Sequence, residues 1–175
     1  FLNKINGQFA FVIYDRKERT LFLARDHFGI NPLFYAVTDG TFIFGSEIKA
    51  LLKHPSLQRE VDLTGLDQVF SFPGLVSPRT MFKGVASLKN GHYVLVKNGD
   101  VKVVQYWDLD YPTTDELVQD KPESYYVEKL KFLFAQSVKY RLQADVPVGF
   151  YLSGGLDSSM IAAMPCKIWK VPTTT

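Results

Sequence analysis

The stretch Ser153-Gly154-Gly155-Leu156-Asp157-Ser158-Ser159 has the residue types and spacing that could do chemistry in this 175-residue chain. Two adjacent glycines let the backbone approach an anion closely and take conformations closed to other residues. The apolar run from Gly149 to Leu152 precedes them and reads as a short buried strand. Met160-Ile161-Ala162-Ala163-Met164 follows and reads as the first turns of a helix. Such a helix would aim its free N–H groups and positive dipole end at the anion, and Ser153 and Ser158 would add hydroxyl donors. Asp157 is repelled by phosphate unless a cation joins them, which points to Mg²⁺ between Asp157 and a polyphosphate. A lone Gly-Gly would be no more than a turn. The flanking serines and the aspartate, between strand and helix, favour the anion site. No Gly-Lys-Ser/Thr follows, so the loop is not a Walker A motif, and its spacing is not Gly-x-Gly-x-x-Gly. Tyr151 and Leu152 could wall a nucleotide base or pack as ordinary strand residues, and the sequence does not separate the two.

A second constellation is Arg25-Asp26-His27-Phe28-Gly29-Ile30-Asn31-Pro32-Leu33-Phe34-Tyr35. It reads as a charged pair after a strand, a glycine turn, and a proline opening the next strand. Arg25 and Asp26 are expected to brace a loop rather than do chemistry. His27 and His92 lack a second histidine or carboxylate at ligand spacing and read as surface or packing residues. Tyr106-Trp107 and the phenylalanines at 9, 11, 22 and 28 read as core.

The elements around these residues change character along the chain. Gln8 to Asp15 and Thr20 to Arg25 read as a hairpin across the charged turn 16–19. Leu33 to Val37 and Thr41 to Phe44 flank Asp39-Gly40, a dipeptide suited to a tight turn with positive φ. Residues 91–97 and 101–107 surround Asn98-Gly99-Asp100 in the same way. Short helices are expected over Glu47 to Lys53 and Leu63 to Phe70. Asp110 to Pro122 is polar, with two prolines, and reads as a linker. Val127, Leu130, Phe134 and Val138 then recur at helical steps, predicting an amphipathic helix ending near Leu142.

Hydrophobic residues make up 46% and charged residues 22%, ordinary for a globular protein, and a net charge of +2 is too weak for a nucleic-acid partner. No apolar run reaches the roughly 20 residues that span a bilayer. The single cysteine, Cys166, excludes an intramolecular disulfide and fits a reducing cytoplasm. Phe1-Leu2-Asn3-Lys4 is neither a signal peptide nor an initiator methionine, and reads as the middle of a longer protein.

Ser153 to Ser158 resembles the SGGxDS PP-loop of ATP pyrophosphatases, and Arg25 to Tyr35 resembles the RDxxGxxPLxY segment of class II glutamine amidotransferase domains. Their order, with Gly45-Ser46-Glu47-Ile48-Lys49-Ala50-Leu51 and Asp145-Val146-Pro147-Val148-Gly149 between them, resembles glutamine-hydrolysing asparagine synthetases over residues 1 to about 164.

The resemblance implies an α+β, mainly antiparallel layered sheet over 1–110, part of an amidotransferase-type domain. A linker would occupy 111–122, and the start of an α/β PP-loop synthetase domain 123–175. It implies an ATP-dependent ligase with ATP and Mg as cofactors. The ATP or pyrophosphate residues would be Ser153, Gly154, Gly155, Leu156, Asp157 and Ser158, with Tyr151 and Leu152 as further candidates and Asp157 as the Mg ligand. Aspartate would be adenylated, and glutamine-derived ammonia would convert it to asparagine, AMP and pyrophosphate. Aspartate, glutamine and ATP are thus the implied small-molecule partners, without nucleic acid or membrane and with a homodimer left open. A β-lactam synthetase type of ligase and a non-catalytic nucleotide-binding remnant are the alternatives.

The family's nucleophile is an N-terminal cysteine, and position 1 here is phenylalanine. No catalytic residue is therefore assigned within the chain, which is expected to be an inactive fragment binding ATP weakly. Pro165 is expected to interrupt the helix, at about 3 kcal/mol, and residues 165–175 are expected to depart from the family.

Overall fold

The computed structural model describes residues 1–113 and 121–169, the last four as backbone alone. The chain divides into two compact units, Phe1–Tyr111 and Pro112–Thr175. In the first, a 3₁₀ turn (Leu2–Lys4) precedes β1 (Ala10–Asp15), β2 (Thr20–Arg25), β3 (Phe34–Thr38) and β4 (Thr41–Gly45). Then come α1 (Ile48–Leu51), α2 (Leu63–Ser71), β5 (Val85–Ser87), β6 (His92–Lys97) and β7 (Asp100–Gln105). The strands form two sheets, β1-β2-β6-β7 and β4-β3-β5, antiparallel at every pairing. Together with the helices this is the expected α+β architecture.

Turn chemistry sets the hairpins. Asp39 (φ 47°) with Gly40 (φ 72°), and Asn98 (φ 53°) with Gly99 (φ 86°), supply the paired left-handed residues that two-residue hairpins require. At the β1–β2 turn, Asp15 Oδ1 accepts the Lys17 and Glu18 N–H groups at 2.8 and 3.0 Å. The sheets pack through Leu23 and Val94 on one side and Leu33 and Leu88 on the other, with Tyr35 and Phe42 among the side chains that join them. The opposite face of β3 carries Ala36, which with Val85, Leu51 and Leu57 makes a second cluster that also takes in Ile48 of α1.

Several expectations need correction. The predicted helix over Glu47 to Lys53 shrinks to Ile48–Leu51, because Lys53 N–H returns to Ala50 O, a tighter turn that ends the α-helix. Phe11 and Phe22 are not core. They stand half-buried on the outer face of the first sheet beside Phe1 and Tyr93, at ring separations of 5.1–6.2 Å. The pleat gives the inner face to Val12, Leu21 and Leu23 instead. Phe28 is 64% exposed, at the tip of the loop after β2.

That loop is built around two side chains. Asp26, 2% exposed, accepts N–H groups from Phe9, Phe28, Ile30 and Asn31 at 3.0–3.3 Å. Arg25 donates to Asn31 O, Gly29 O, Leu88 O and the Ser87 hydroxyl at 2.6–3.0 Å. Tyr106 donates its hydroxyl to Arg25 O at 2.7 Å. The bracing role expected for the pair holds. His27 packs edge-on against Tyr106 and Trp107 at 5.4 and 5.1 Å, the packing role expected of it. Desolvation pushes the Asp26 carboxyl up, but the four backbone donors outweigh it and hold the group below the usual carboxylate range. Burial lowers the Arg25 guanidinium from its ordinary value, with Asp26 acting in the opposite direction.

In the second unit, α3 (Glu123–Arg141) and α4 (Leu156–Trp169) pack on each other. Gly149 to Leu152 is not a strand. A strand needs a neighbour for its ladder, and no other described residue of this unit is extended and paired. Helix α4 runs through Pro165, whose ring is fully buried, so the expected break does not occur. Of the linker 111–122, residues 114–120 lie outside the described residues, as do 170–175 of the tail.

Two stability changes follow. Gly→Ala inside a helix normally gains about 1 kcal/mol. At Gly65 the added Cβ would sit 2.2 Å from Thr80 O, a backbone atom that cannot yield. Gly65→Ala should therefore lose about 1–3 kcal/mol in urea unfolding, and a gain would show that α2 can shift. Asp26→Asn should lose roughly 2–3 kcal/mol at pH 7, through weaker and mismatched acceptance of the N–H groups. The native carboxyl titrates below its unfolded value near 3.9, so its stabilisation is complete above that pH and disappears as pH falls through the native value. The stability gap between wild type and Asp26→Asn should therefore narrow below about pH 4, as read from urea midpoints across pH. A gap constant down to pH 2 would remove the charge from the explanation.

Candidate functional site

The loop at the start of α4 assembles from local chemistry. Gly154 takes φ 82°, the left-handed region, and turns the chain from Ser153 into the helix. Ser153 Oγ lies 3.0 Å from Ser158 Oγ, closing the loop side chain to side chain. Ser153 Oγ also accepts the Gly155 N–H at 3.4 Å, and the Ser158 hydroxyl donates to Gly155 O at 3.1 Å. Ser159 N–H donates to the same carbonyl at 3.1 Å, the first bond of the helical ladder. The N–H groups of Leu156, Asp157 and Ser158 precede that bond, so the helix offers them no acceptor.

Asp157 stands exposed in the first turn of α4. The structure thus brings Ser153, Gly154, Gly155, Leu156, Asp157 and Ser158 together on one loop and helix end. It does not bring Tyr151 and Leu152 into any wall: Tyr151 is fully exposed and Leu152 is 63% exposed.

The arrangement offers helix N–H groups without a helical acceptor, two hydroxyls and one carboxylate on an exposed loop and helix end. Donors of this kind suit phosphate oxygens. Asp157 fits a magnesium ion as its one protein carboxylate, because Mg²⁺ commonly takes one or two carboxylates and completes its shell with phosphate and water. No group of three or more His, Cys, Asp or Glu capable of holding a metal alone occurs among the described residues. The serine-to-serine contact went unread in the sequence. The signal for it is the five-residue spacing of Ser153 and Ser158 across a Gly-Gly turn.

Elsewhere in this unit an apolar groove of about 350 Å³ is lined by residues that include Phe134 and Val138 of α3, Leu142 just after it, Val148 and Phe150 before the loop, and Ile161 of α4. None of the loop residues from Ser153 to Ser159 lines it. No helix among the described residues is long and apolar enough to cross a membrane.

Comparison with known proteins adds a family. A glutamine amidotransferase domain family matches residues 1–107, and an asparagine synthase family matches residues 129–171. Asparagine synthetase [glutamine-hydrolyzing] 3 of Bacillus subtilis is 37% identical over 164 residues, 93% of this chain and 26% of that protein. Amidase chyE of Penicillium rubens is 39% identical over 176 aligned positions, 99% of this chain and 25% of the relative. A putative asparagine synthetase [glutamine-hydrolyzing] 2 of Methanocaldococcus jannaschii is 31% identical over 168 residues, 93% of this chain and 32% of the relative. The chain thus spans about a quarter to a third of the length of these curated relatives. The expected departure after residue 164 is corrected here, since the asparagine synthase match continues to residue 171. The amidotransferase match alone covers well over half of the 175 residues, and with the asparagine synthase match following it the chain belongs to the amidotransferase family, in the arrangement of the glutamine-hydrolysing asparagine synthetases.

Proposed function

We propose that this chain is part of an ATP-dependent carbon–nitrogen ligase that uses glutamine as amido donor and makes asparagine from aspartate, working in the cytoplasm and pairing as two copies. The observation that carries the reading is the loop from Ser153 to Ser158. Its Gly154 turn, free N–H groups and Asp157 lie in a segment that matches asparagine synthase. Residues 1–110 are proposed as the amidotransferase part, 111–122 as the linker and 123–175 as the synthetase part. The compact units divided between Tyr111 and Pro112 support that division.

In the proposed reaction a carboxylate oxygen of aspartate attacks the α-phosphorus of ATP, and pyrophosphate departs with the bond electrons. Ammonia then adds to the activated carbonyl, and AMP leaves. The N–H groups of Leu156, Asp157 and Ser158, with the Ser153 and Ser158 hydroxyls, would hold the departing pyrophosphate. To do so the two serines exchange their mutual contact for phosphate oxygens. Magnesium, when bound, would neutralise charge on the phosphates, and Asp157 is the residue that would hold it. Tyr151 and Leu152, exposed beside the loop, are proposed to flank the adenine.

A second reading keeps the ligase chemistry and changes the acceptor. Two relatives named amidases, chyE and chry2, align with 99% of this chain at 39% and 36% identity, so a carboxylate other than that of aspartate is the specific alternative. A ring-closing ligase of the β-lactam synthetase type falls under the same heading. A non-catalytic remnant would show neither reaction.

The test uses the longer polypeptide encoding this chain. Asp157→Asn should lower asparagine formation by on the order of 100-fold, about 3 kcal/mol of transition-state stabilisation, while leaving glutamate release near wild type. Unchanged pyrophosphate release in the variant would remove Asp157 from the metal site. A wild-type polypeptide that releases pyrophosphate with another carboxylate, and not with aspartate, would establish the second reading.

A further inference from the structure

The tripeptide Lys-Asn-Gly occurs at Lys89 to Gly91 and again at Lys97 to Gly99, one copy at each end of β6. An Asn-Gly pair can react with itself: the glycine nitrogen attacks the carboxamide carbon of the asparagine, and a glycine has no Cβ to obstruct the approach. The reaction needs a free glycine N–H, a carboxamide free to turn, and a peptide able to swing between them. Residue type treats the two copies alike. Exposure does too, since Asn90 and Asn98 are both exposed.

Hydrogen bonding separates them. Asn90 Nδ2 donates to His27 O at 3.1 Å, and the N–H of buried Gly91 donates to Asp26 O at 2.9 Å. Both groups that would have to react are therefore engaged with the loop after β2. Gly91 O also accepts the Tyr106 and Trp107 N–H groups at 2.8 and 3.1 Å, so turning this stretch of backbone would break those bonds as well. At the second copy neither the Asn98 carboxamide nor the Gly99 N–H makes a hydrogen bond among the described residues, and a Cβ on Gly99 would meet nothing within 4 Å. The peptide between Asn98 (φ 53°) and Gly99 (φ 86°) must leave its turn conformation for the ring to close. That movement opens the Lys97–Asp100 pair at the end of the β6–β7 ladder, and loop tips open at low cost.

We propose that Asn98 is a site of self-modification, where the Gly99 nitrogen closes a succinimide ring and converts the asparagine to a mixture of aspartate and isoaspartate, while the fold protects the matching Asn90. The bond from Gly99 N to Asn98 Cγ forms, the bond from Cγ to Nδ2 breaks, and the carboxamide nitrogen leaves as ammonia with the proton from Gly99. Water then opens the ring at either carbonyl, so the balance is water taken up and ammonia released, without an oxidant or a cofactor. Isoaspartate routes the main chain through the side-chain carbon. The added backbone atom does not fit the two-residue turn that sets the β6–β7 register, and the new carboxylate stands next to Asp100. The inference is independent of the ligase reading.

The test is incubation of the longer polypeptide encoding this chain, folded, at mildly alkaline pH, followed by peptide mapping in a mass spectrometer. Asn6-Gly7, a third such pair that lies outside every strand and helix, sets the length of the incubation. Asn98 should convert about tenfold or more faster than Asn90, the difference expected from the bonds that hold Asn90 and Gly91. Both aspartate and isoaspartate should appear at position 98, each carrying an oxygen from isotopically labelled water. In unfolding urea the Asn90 rate should rise to that of Asn98. An Asn98 rate as slow as that of Asn90 in the folded protein, aspartate without isoaspartate, or a gap between the two sites that persists in urea would each overturn the proposal.

Discussion

The Asp26 carboxylate gathers four backbone N–H groups from two segments, and the geometry of the first unit follows from that convergence. The bond from Phe9 places the start of β1 beside the end of β2. Those from Phe28, Ile30 and Asn31 wind the next five residues into a closed loop, so that Pro32 leaves in the direction the second sheet requires. Arg25 completes the structure from the opposite side, tying the loop carbonyls to Ser87 and Leu88 at the end of β5. One neighbouring pair of charged residues therefore joins both sheets at one end. It is tolerated away from water because each side chain makes four hydrogen bonds. An isolated buried charge would be expelled or neutralised.

This brace also shows what a sequence can and cannot carry. The hairpins were legible because Asp39-Gly40 and Asn98-Gly99 write their backbone conformation in residue type. The loop after β2 was legible as a brace from Arg25, Asp26 and Gly29. What was not legible is non-local. β2 pairs with β6 across some seventy residues of chain, and no local signal chooses that neighbour over another. β5, three residues long, offers no period to detect. The assignment of Phe11 and Phe22 to the core failed for a related reason. Alternation tells which residues share a face, and the face that is covered depends on which sheet packs opposite.

The phosphate-type loop divides in the same way. Its glycine turn and helix start are local, and they appear where the residue types place them, with Gly154 left-handed and Asp157 in the first turn. The strand expected before it depends on neighbours. Without a paired strand among the described residues, Gly149 to Leu152 has no ladder, and Tyr151 stands fully exposed. Pro165 reverses the lesson. Local rules end the helix there, yet α4 continues to Trp169 and the proline ring is buried, so packing outweighs the lost backbone donor.

The electrostatics of that loop carry the argument about its ligand one step further. A helix N-terminus is equivalent to roughly half a positive charge. That is too little to hold a polyphosphate against the full negative charge of Asp157 a few residues away. Neither serine hydroxyl carries charge, and no lysine or arginine occurs between Ser153 and Met164. If the loop only needed to grip phosphate, a neutral or basic residue at position 157 would serve better. The carboxylate makes physical sense when a divalent cation arrives with the phosphates and converts repulsion into a bridge. The same residue then disfavours binding of phosphate alone. In the nucleotide-binding role proposed above, such a loop would favour the magnesium complex over the metal-free nucleotide, which it would repel.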